Sequence, residues 1–162
     1  RFLSCAAKKR SLVEYAANQG FHPQTGPDGG PKLLTIGVDA SMWMHSVCSV
    51  FRYNHAGSGP SPELRTLFYQ VAALLAMPVH ALFMFDGHGR PSTKRGKQTG
   101  GKSHWLTTGF QELLDAFGFW WCEAPGEAEA ELVALSQQRF IDMVLTTDND
   151  ALIFGTTCVA RW

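Results

Sequence analysis

The sequence predicts an α/β domain of three layers with a mostly parallel central sheet, and three observations lead there. Two apolar, strand-like runs, Leu33 to Val38 and Val79 to Phe85, each lead straight into an aspartate, Asp39 and Asp86. Helical patterns lie between them, and strands joined through helices are parallel, which puts both carboxylates at one sheet edge. A third apolar run, Ile141 to Leu145, leads through two threonines to a further acid pair, Asp148 and Asp150. Ligands of open α/β sheets bind at that edge.

Taken in order, Ser11 to Gln19 reads as a short helix, with Leu12, Tyr15, Ala16 and Gln19 at helical spacing and Gly20 as a stop. Residues 21–31 hold enough Gly and Pro to predict a loop. After the first strand and Asp39, a helical pattern runs from Met42 to about Phe51. A lone Asp between strand and helix serves equally as an N-cap, so Asp39 alone does not decide between cap and catalyst. Asn54 to Pro60 is a second loop. Ser61-Pro62-Glu63 then opens a helix reaching to Met77, with Ser61 as its cap and Pro62 at its first position.

Beyond Asp86-Gly87, the segment from His88 to His104 carries Arg90, Lys94, Arg95, Lys97 and Lys102 and no acid, and reads as a flexible basic arm. A helix from about Ser103 to Phe117 and an aromatic strand, Phe119 to Cys122, follow. The next stretch, EAPGEAEAE from Glu123 to Glu131, places Pro125 where a helix begins, with Glu127 and Glu129 just behind it. Leu132 to Arg139 continues it as an amphipathic segment, and Cys158 to Trp162 reads as one more strand. Phe83, Phe85, Phe117 and Phe119 sit in core patterns. Trp43 and Trp105 are left open between the core and stacking on a base.

A chain of 162 residues, 45% apolar, is enough for one domain with a real core. Net charge is zero, which argues against a generic polyanion binder, but the five cations of 88–104 face seven acids within 123–150. Cys5, Cys48, Cys122 and Cys158 are scattered without a CxxC pair, so neither a zinc framework nor a disulfide scaffold is indicated and a reducing, intracellular compartment fits. No apolar run is long enough to span a membrane.

Several chemistries fail on context. GKQTGGKS, Gly96 to Ser103, matches the phosphate-loop pattern, but that loop should follow a strand directly, and ten charged, loop-like residues separate it from Phe85. The six histidines form no ligand-spaced cluster, although His88 lies near the proposed centre. No GxSxG elbow supports a serine hydrolase. Aspartyl phosphotransfer at Asp39 would leave the downstream acids without a role. Six acids remain at convergent positions: Asp39, Asp86, Glu127, Glu129, Asp148 and Asp150. Such oxygen-rich sets suit Mg²⁺ or Mn²⁺. Two ions about 4 Å apart can activate water and stabilise both oxygens of a phosphodiester displacement, and the adjoining cations would hold the nucleic-acid backbone.

GVDAS (Gly37 to Ser41), FDG (Phe85 to Gly87), EAPGEAEAE and TDNDALIFG together resemble the structure-specific 5′ nucleases, the family of flap endonucleases, an excision-repair nuclease and Holliday-junction resolvases. The stretches RPSTKRGK and KRSLVEYAANQGF most resemble fungal members of the resolvase branch. The resemblance implies a PIN-like fold and a two-metal hydrolase, located in the nucleus, that uses Mg²⁺ (or Mn²⁺) to cut 5′ flaps and Holliday junctions. Asp39, Asp86, Glu127, Glu129, Asp148 and Asp150 match the family's catalytic, metal-holding acids. Glu123 and Glu131 flank that set and take no metal role. Arg90, Lys94, Arg95, Lys97 and Lys102 are the expected nucleic-acid contacts. Residues 1–162 are expected to be a partial PIN-like domain, because the family's extreme amino-terminal segment is not recognisable before Lys9 and its duplex-gripping element would follow Trp162. The alternatives are a nucleic-acid-binding module without turnover and a related ribonuclease.

Overall fold

Alternation decides how the central strand is buried. In β1 (Leu34–Asp39), Leu34, Ile36 and Val38 enter one apolar cluster, while Gly37 lies on the opposite face. In β2 (Val79–Phe85), Ala81, Phe83 and Phe85 join the same cluster, whereas Met84 enters a second one. A sheet covered on both faces needs apolar residues of both parities, the pattern of buried parallel strands. The computed structural model of the chain, which describes residues 8–20, 33–51, 59–90, 93–94, 97–98, 103–147 and 150–161, shows that sheet.

The strand order is β5-β2-β1-β6-β7, with β5 (Trp120–Glu123), β6 (Met143–Leu145) and β7 (Val159–Ala160), and every pairing in it is parallel. On one face lie α1 (Leu12–Gly20), α2 (Ala40–Val50), α3 (Pro62–Leu75) and α4 (Thr107–Phe117), around a core that includes Trp43, Leu67, Phe83, Phe110 and Leu114. The other face is covered by α5 (Ala128–Gln137), whose Leu132 packs with Met84, Ile141 and Val144. A short α6 (Asp150–Ile153) contacts α5. The three-layer α/β expectation therefore holds, and no helix among the described residues is long and apolar enough to cross a membrane.

Four local expectations change. Trp43 is a core residue, only 2% exposed, with its ring 5.4 Å from Phe83 and 6.4 Å from Phe110. It sits on the buried face of α2 rather than beside the charged rim. Ser61 stands at the N-cap position of α3 but makes no side-chain capping bond, and Pro62 alone fits the expected start. The fourth helix begins at Thr107, because 103–106 form a turn in which the His104 carbonyl accepts from Thr107 N at 2.9 Å. Lastly, the basic segment, expected as a flexible arm, holds regular structure at some of its described residues. It contains an antiparallel pair, β3 (Thr93–Lys94) and β4 (Lys97–Gln98). The loop at 21–31, most of that at 54–60 and most of the phosphate-loop match lie outside the described residues.

Candidate active site

Because all five strands of the sheet run the same way, their carboxyl ends share one edge. Asp39 ends β1 and pairs in register with Met84, so Asp86 lies two residues further on, just past the end of β2. Val38 pairs with Leu145 on the other side, which places Thr146 next along that edge. Asp39, Asp86, Glu127 and Glu129 line one cleft there, of about 480 Å³, together with Ser41, Met42, His45, Ser46, Arg90, Thr146 and Thr147.

Asp39 is an N-cap that also lines the cleft. Its Oδ1 accepts from Met42 N at 3.2 Å as the N-cap of α2, and its side chain lines the cleft. Asp86 is held more tightly. Its Oδ1 accepts from the backbone N–H of Ala128 at 2.9 Å, and its Oδ2 accepts from Ser41 Oγ at 2.9 Å and pairs with an Arg90 guanidinium nitrogen at 3.1 Å. The bond to Ala128 crosses from the end of β2 to the first turn of α5. Glu127, the N-cap residue, makes no side-chain capping bond itself, so Asp86 satisfies one of the orphan donors that every helix start carries.

This contact also explains a departure from the predicted helix start. Pro125 is not the first residue of α5, which begins at Ala128. The Pro125 carbonyl accepts from Gly89 N at 3.0 Å and the Gly126 carbonyl from Gly87 N at 2.8 Å. In a helix begun at Pro125, those carbonyls would turn along the axis toward the fourth residue on. Instead they bind the loop after β2, and the helix starts only once that loop is fastened. Glu127 and Glu129 thereby stand at and just inside a helix amino terminus, where the peptide dipoles favour negative charge.

Two glycines make the approach possible. A Cβ on Gly87 would lie 1.6 Å from the Ala124 carbonyl oxygen, so no other residue fits there without moving backbone. One on Gly37 would meet Leu132 Cδ2 and Ile141 Cδ1, each at 2.6 Å. The glycines of GVDAS and FDG thus set how closely α5 and its glutamates approach the sheet.

The walls fit a hard cation by donor chemistry: carboxylate and hydroxyl oxygens dominate, and a guanidinium already sits on Asp86. Among the described residues, no group of three or more Asp, Glu, His or Cys side chains gathers closely enough to hold a metal ion. Asp148 lies outside the described residues, and Asp150 is placed only as the first residue of α6. Of the expected nucleic-acid contacts, Arg90 lines the cleft and Lys94 and Lys97 belong to the short hairpin, while Arg95 and Lys102 lie outside the described residues. His88 is exposed and does not line the cleft.

Ser41, His45 and Thr146 are cleft residues to which the sequence reading gives no role. His45 had a legible signal, since Met42, His45 and Ser46 are three and four apart and share a helix face beginning one turn after Asp39. Its ring meets that of His104 edge-on at 5.4 Å, and His104 stacks on the exposed Trp105 at 5.9 Å. Burial and then the neighbouring His45 hold His104 below its ordinary pKa. Its Nδ1 accepts from Leu106 N at 3.3 Å, and its other ring nitrogen lies 3.9 Å from Cys48 Sγ.

Residues 118–162, which contain α5, β6 and α6, match the XPG I-region. The chain is 31% identical over 145 residues to the mouse flap endonuclease GEN homolog 1 and 30% identical to the human one; in each case 78% of this chain and 16% of the relative are covered. The chain thus spans well under half the length of these relatives. The Holliday junction-resolving enzyme GEN1, in a crystal structure with product DNA and Mg²⁺, superposes with a TM-score of 0.73 at 29% identity, covering 97% of this chain and 34% of that one. The catalytic core of Rad2, in complex with DNA substrate, gives 0.63 at 29% identity, covering 79% and 42%.

Proposed function

Since this chain is homologous to the structure-specific nucleases of the GEN1, XPG and flap-endonuclease family, we propose that it is the PIN-like catalytic region of a metal-dependent endonuclease. Its substrates are 5′ flaps and Holliday junctions. The observation that carries this reading is the cleft itself. Acids from three separate motifs, far apart in sequence, line one pocket at the carboxyl edge of a parallel sheet.

Each acidic wall residue has a task in hydrolysis. Asp39, Asp86, Glu127 and Glu129, with Asp148 and Asp150, would hold Mg²⁺ or Mn²⁺ as a pair of ions. When bound, such ions lower the pKa of water and stabilise charge on the phosphoryl oxygens. Ala128 N and Ser41 Oγ fix the Asp86 carboxylate so that its position is set before substrate arrives. Placing Glu127 and Glu129 at the start of α5 lets the helix dipole offset part of the repulsion among the acids. Water adds to phosphorus and the bond to the 3′ oxygen breaks, leaving a 5′ phosphate and a 3′ hydroxyl. Arg90, Lys94, Arg95, Lys97 and Lys102 would hold the DNA backbone beside the cleft through phosphate contacts. Similarity of the stretches Arg90–Lys97 and Lys9–Phe21 supports the resolvase branch and, within it, the fungal members. Action on chromosomal junctions implies a nuclear location.

The test uses the full-length protein on a 5′ flap, a four-way junction, linear duplex and RNA under single-turnover conditions with Mg²⁺. Glu129→Gln and Asp148→Asn keep size and remove charge. Each is expected to slow cleavage of the branched DNAs by about 100-fold or more, the several kcal/mol that metal stabilisation supplies, with little change in binding. Folded wild-type protein that binds junctions but cuts nothing would make this a binding module. Cleavage of RNA alone would make it a ribonuclease.

A further inference from the structure

We infer that Arg90 is a built-in counter-ion that occupies the cation position on Asp86 and is displaced when a divalent cation binds. The inference rests on the metal-dependent reading of the cleft. Asp86 has two oxygens with different duties. Oδ1 is committed to the backbone of α5 and Oδ2 carries both the Ser41 hydroxyl and the Arg90 guanidinium. A divalent ion on the same carboxylate would sit about 2 Å from the oxygen, within a few ångströms of the guanidinium, where two cations repel. The two occupants therefore exclude one another.

The surrounding backbone suits a side chain that moves alone. Gly87 N and Gly89 N are bonded to the Gly126 and Pro125 carbonyls, so the segment leading to Arg90 is fastened on both sides of His88. The Arg90 side chain is one-third exposed, and its long stem can swing without disturbing those bonds. Among the described residues, Arg90 is the one Lys or Arg lining a cleft that holds four carboxylates. It is also the first cation of the basic run. Displacement from Asp86 would therefore release a guanidinium at the border between the acidic cleft and the basic segment, where a substrate phosphate is the available partner. An arginine does not deprotonate in proteins, so the guanidinium keeps its charge and leaves Asp86 when a metal ion competes for the carboxylate.

The experiment measures Mn²⁺ binding to the full-length protein without DNA, by electron paramagnetic resonance of the free ion. Arg90→Gln and Arg90→Ala are expected to bind Mn²⁺ about two- to fivefold more tightly than wild type, the range a partly exposed ion pair supports. Arg90→Lys should fall between, since it keeps the charge and loses the fork. In an Asp86→Asn background, Arg90→Gln should leave Mn²⁺ affinity unchanged, because the shared partner is gone. Equal or weaker binding by folded Arg90→Gln, beside normal binding by wild type, overturns the latch and leaves the metal site standing. No Mn²⁺ binding by wild type overturns both. Thermal unfolding of each variant separates these outcomes from misfolding.

Discussion

At the level of single residues, Asp86 holds two roles that one substitution pair can separate. Its carboxylate caps α5 through Ala128 N, and its charge is half of an ion pair with Arg90. Asparagine keeps a carbonyl oxygen for the Ala128 N–H and removes the charge, whereas alanine removes both. Relief of repulsion in the cleft is common to the two variants, so their difference reports the capping bond to Ala128 together with the contact to Ser41. Asp86→Ala is expected to be less stable than Asp86→Asn by about 1 kcal/mol, the usual worth of a cap, measured by urea denaturation. Both should lose cleavage to a similar degree. Equal stability would show that Ala128 finds another acceptor and that the cap supplied from β2 adds nothing.

Among the elements, the site depends on how closely α5 approaches β1 and the loop after β2. That distance is set at two glycines with unequal tolerance. At Gly37 an added methyl meets the ends of two aliphatic side chains, which can rotate, so Gly37→Ala should cost about 1–2 kcal/mol. At Gly87 it meets the Ala124 carbonyl, which can move only by shifting the bend that carries Pro125, Gly126 and Glu127. Gly87→Ala should cost about 3 kcal/mol or more. It should also weaken Mn²⁺ binding, while Gly37→Ala changes it less. Denaturation and Mn²⁺ titration of the two variants check the order, and a reversed order would mean that the bend yields more readily than the packing of Leu132.

Across the molecule as a whole, zero net charge conceals a division of labour between a basic run and an acidic edge. The acids alone would repel DNA, and under the proposed function the basic run would offset that repulsion. Replacing Lys94, Arg95 and Lys97 together with Ala should weaken junction binding and reduce the slope of log affinity against log salt by roughly 2 to 3, close to one unit for each phosphate that is no longer neutralised. Binding isotherms at several salt concentrations supply the slope. An unchanged slope would mean that the hairpin bearing Lys94 and Lys97 is turned to solvent away from the DNA path.

The strands and their terminal acids are legible in the sequence, because burial on two faces and a turn into a helix leave periodic, local marks. Val79–Phe85 is readable to its last residue, and the gathering of Asp39 and Asp86 follows from parallel connection alone. Local pattern does not record which partner a group finds across the fold. Pro125 has the composition of a helix start, yet its carbonyl is taken by Gly89 and the helix begins at Ala128. Trp43 occupies a helix that reaches the charged rim, yet its ring is packed between Phe83 and Phe110. Asp86 reads as an acid after a strand, and only the packed structure shows it capping α5 and paired with Arg90. Bonds such as those from Asp86 to Ser41 and Ala128 connect segments some forty residues apart, so they are decided when the layers close, by which donor and acceptor meet at that edge.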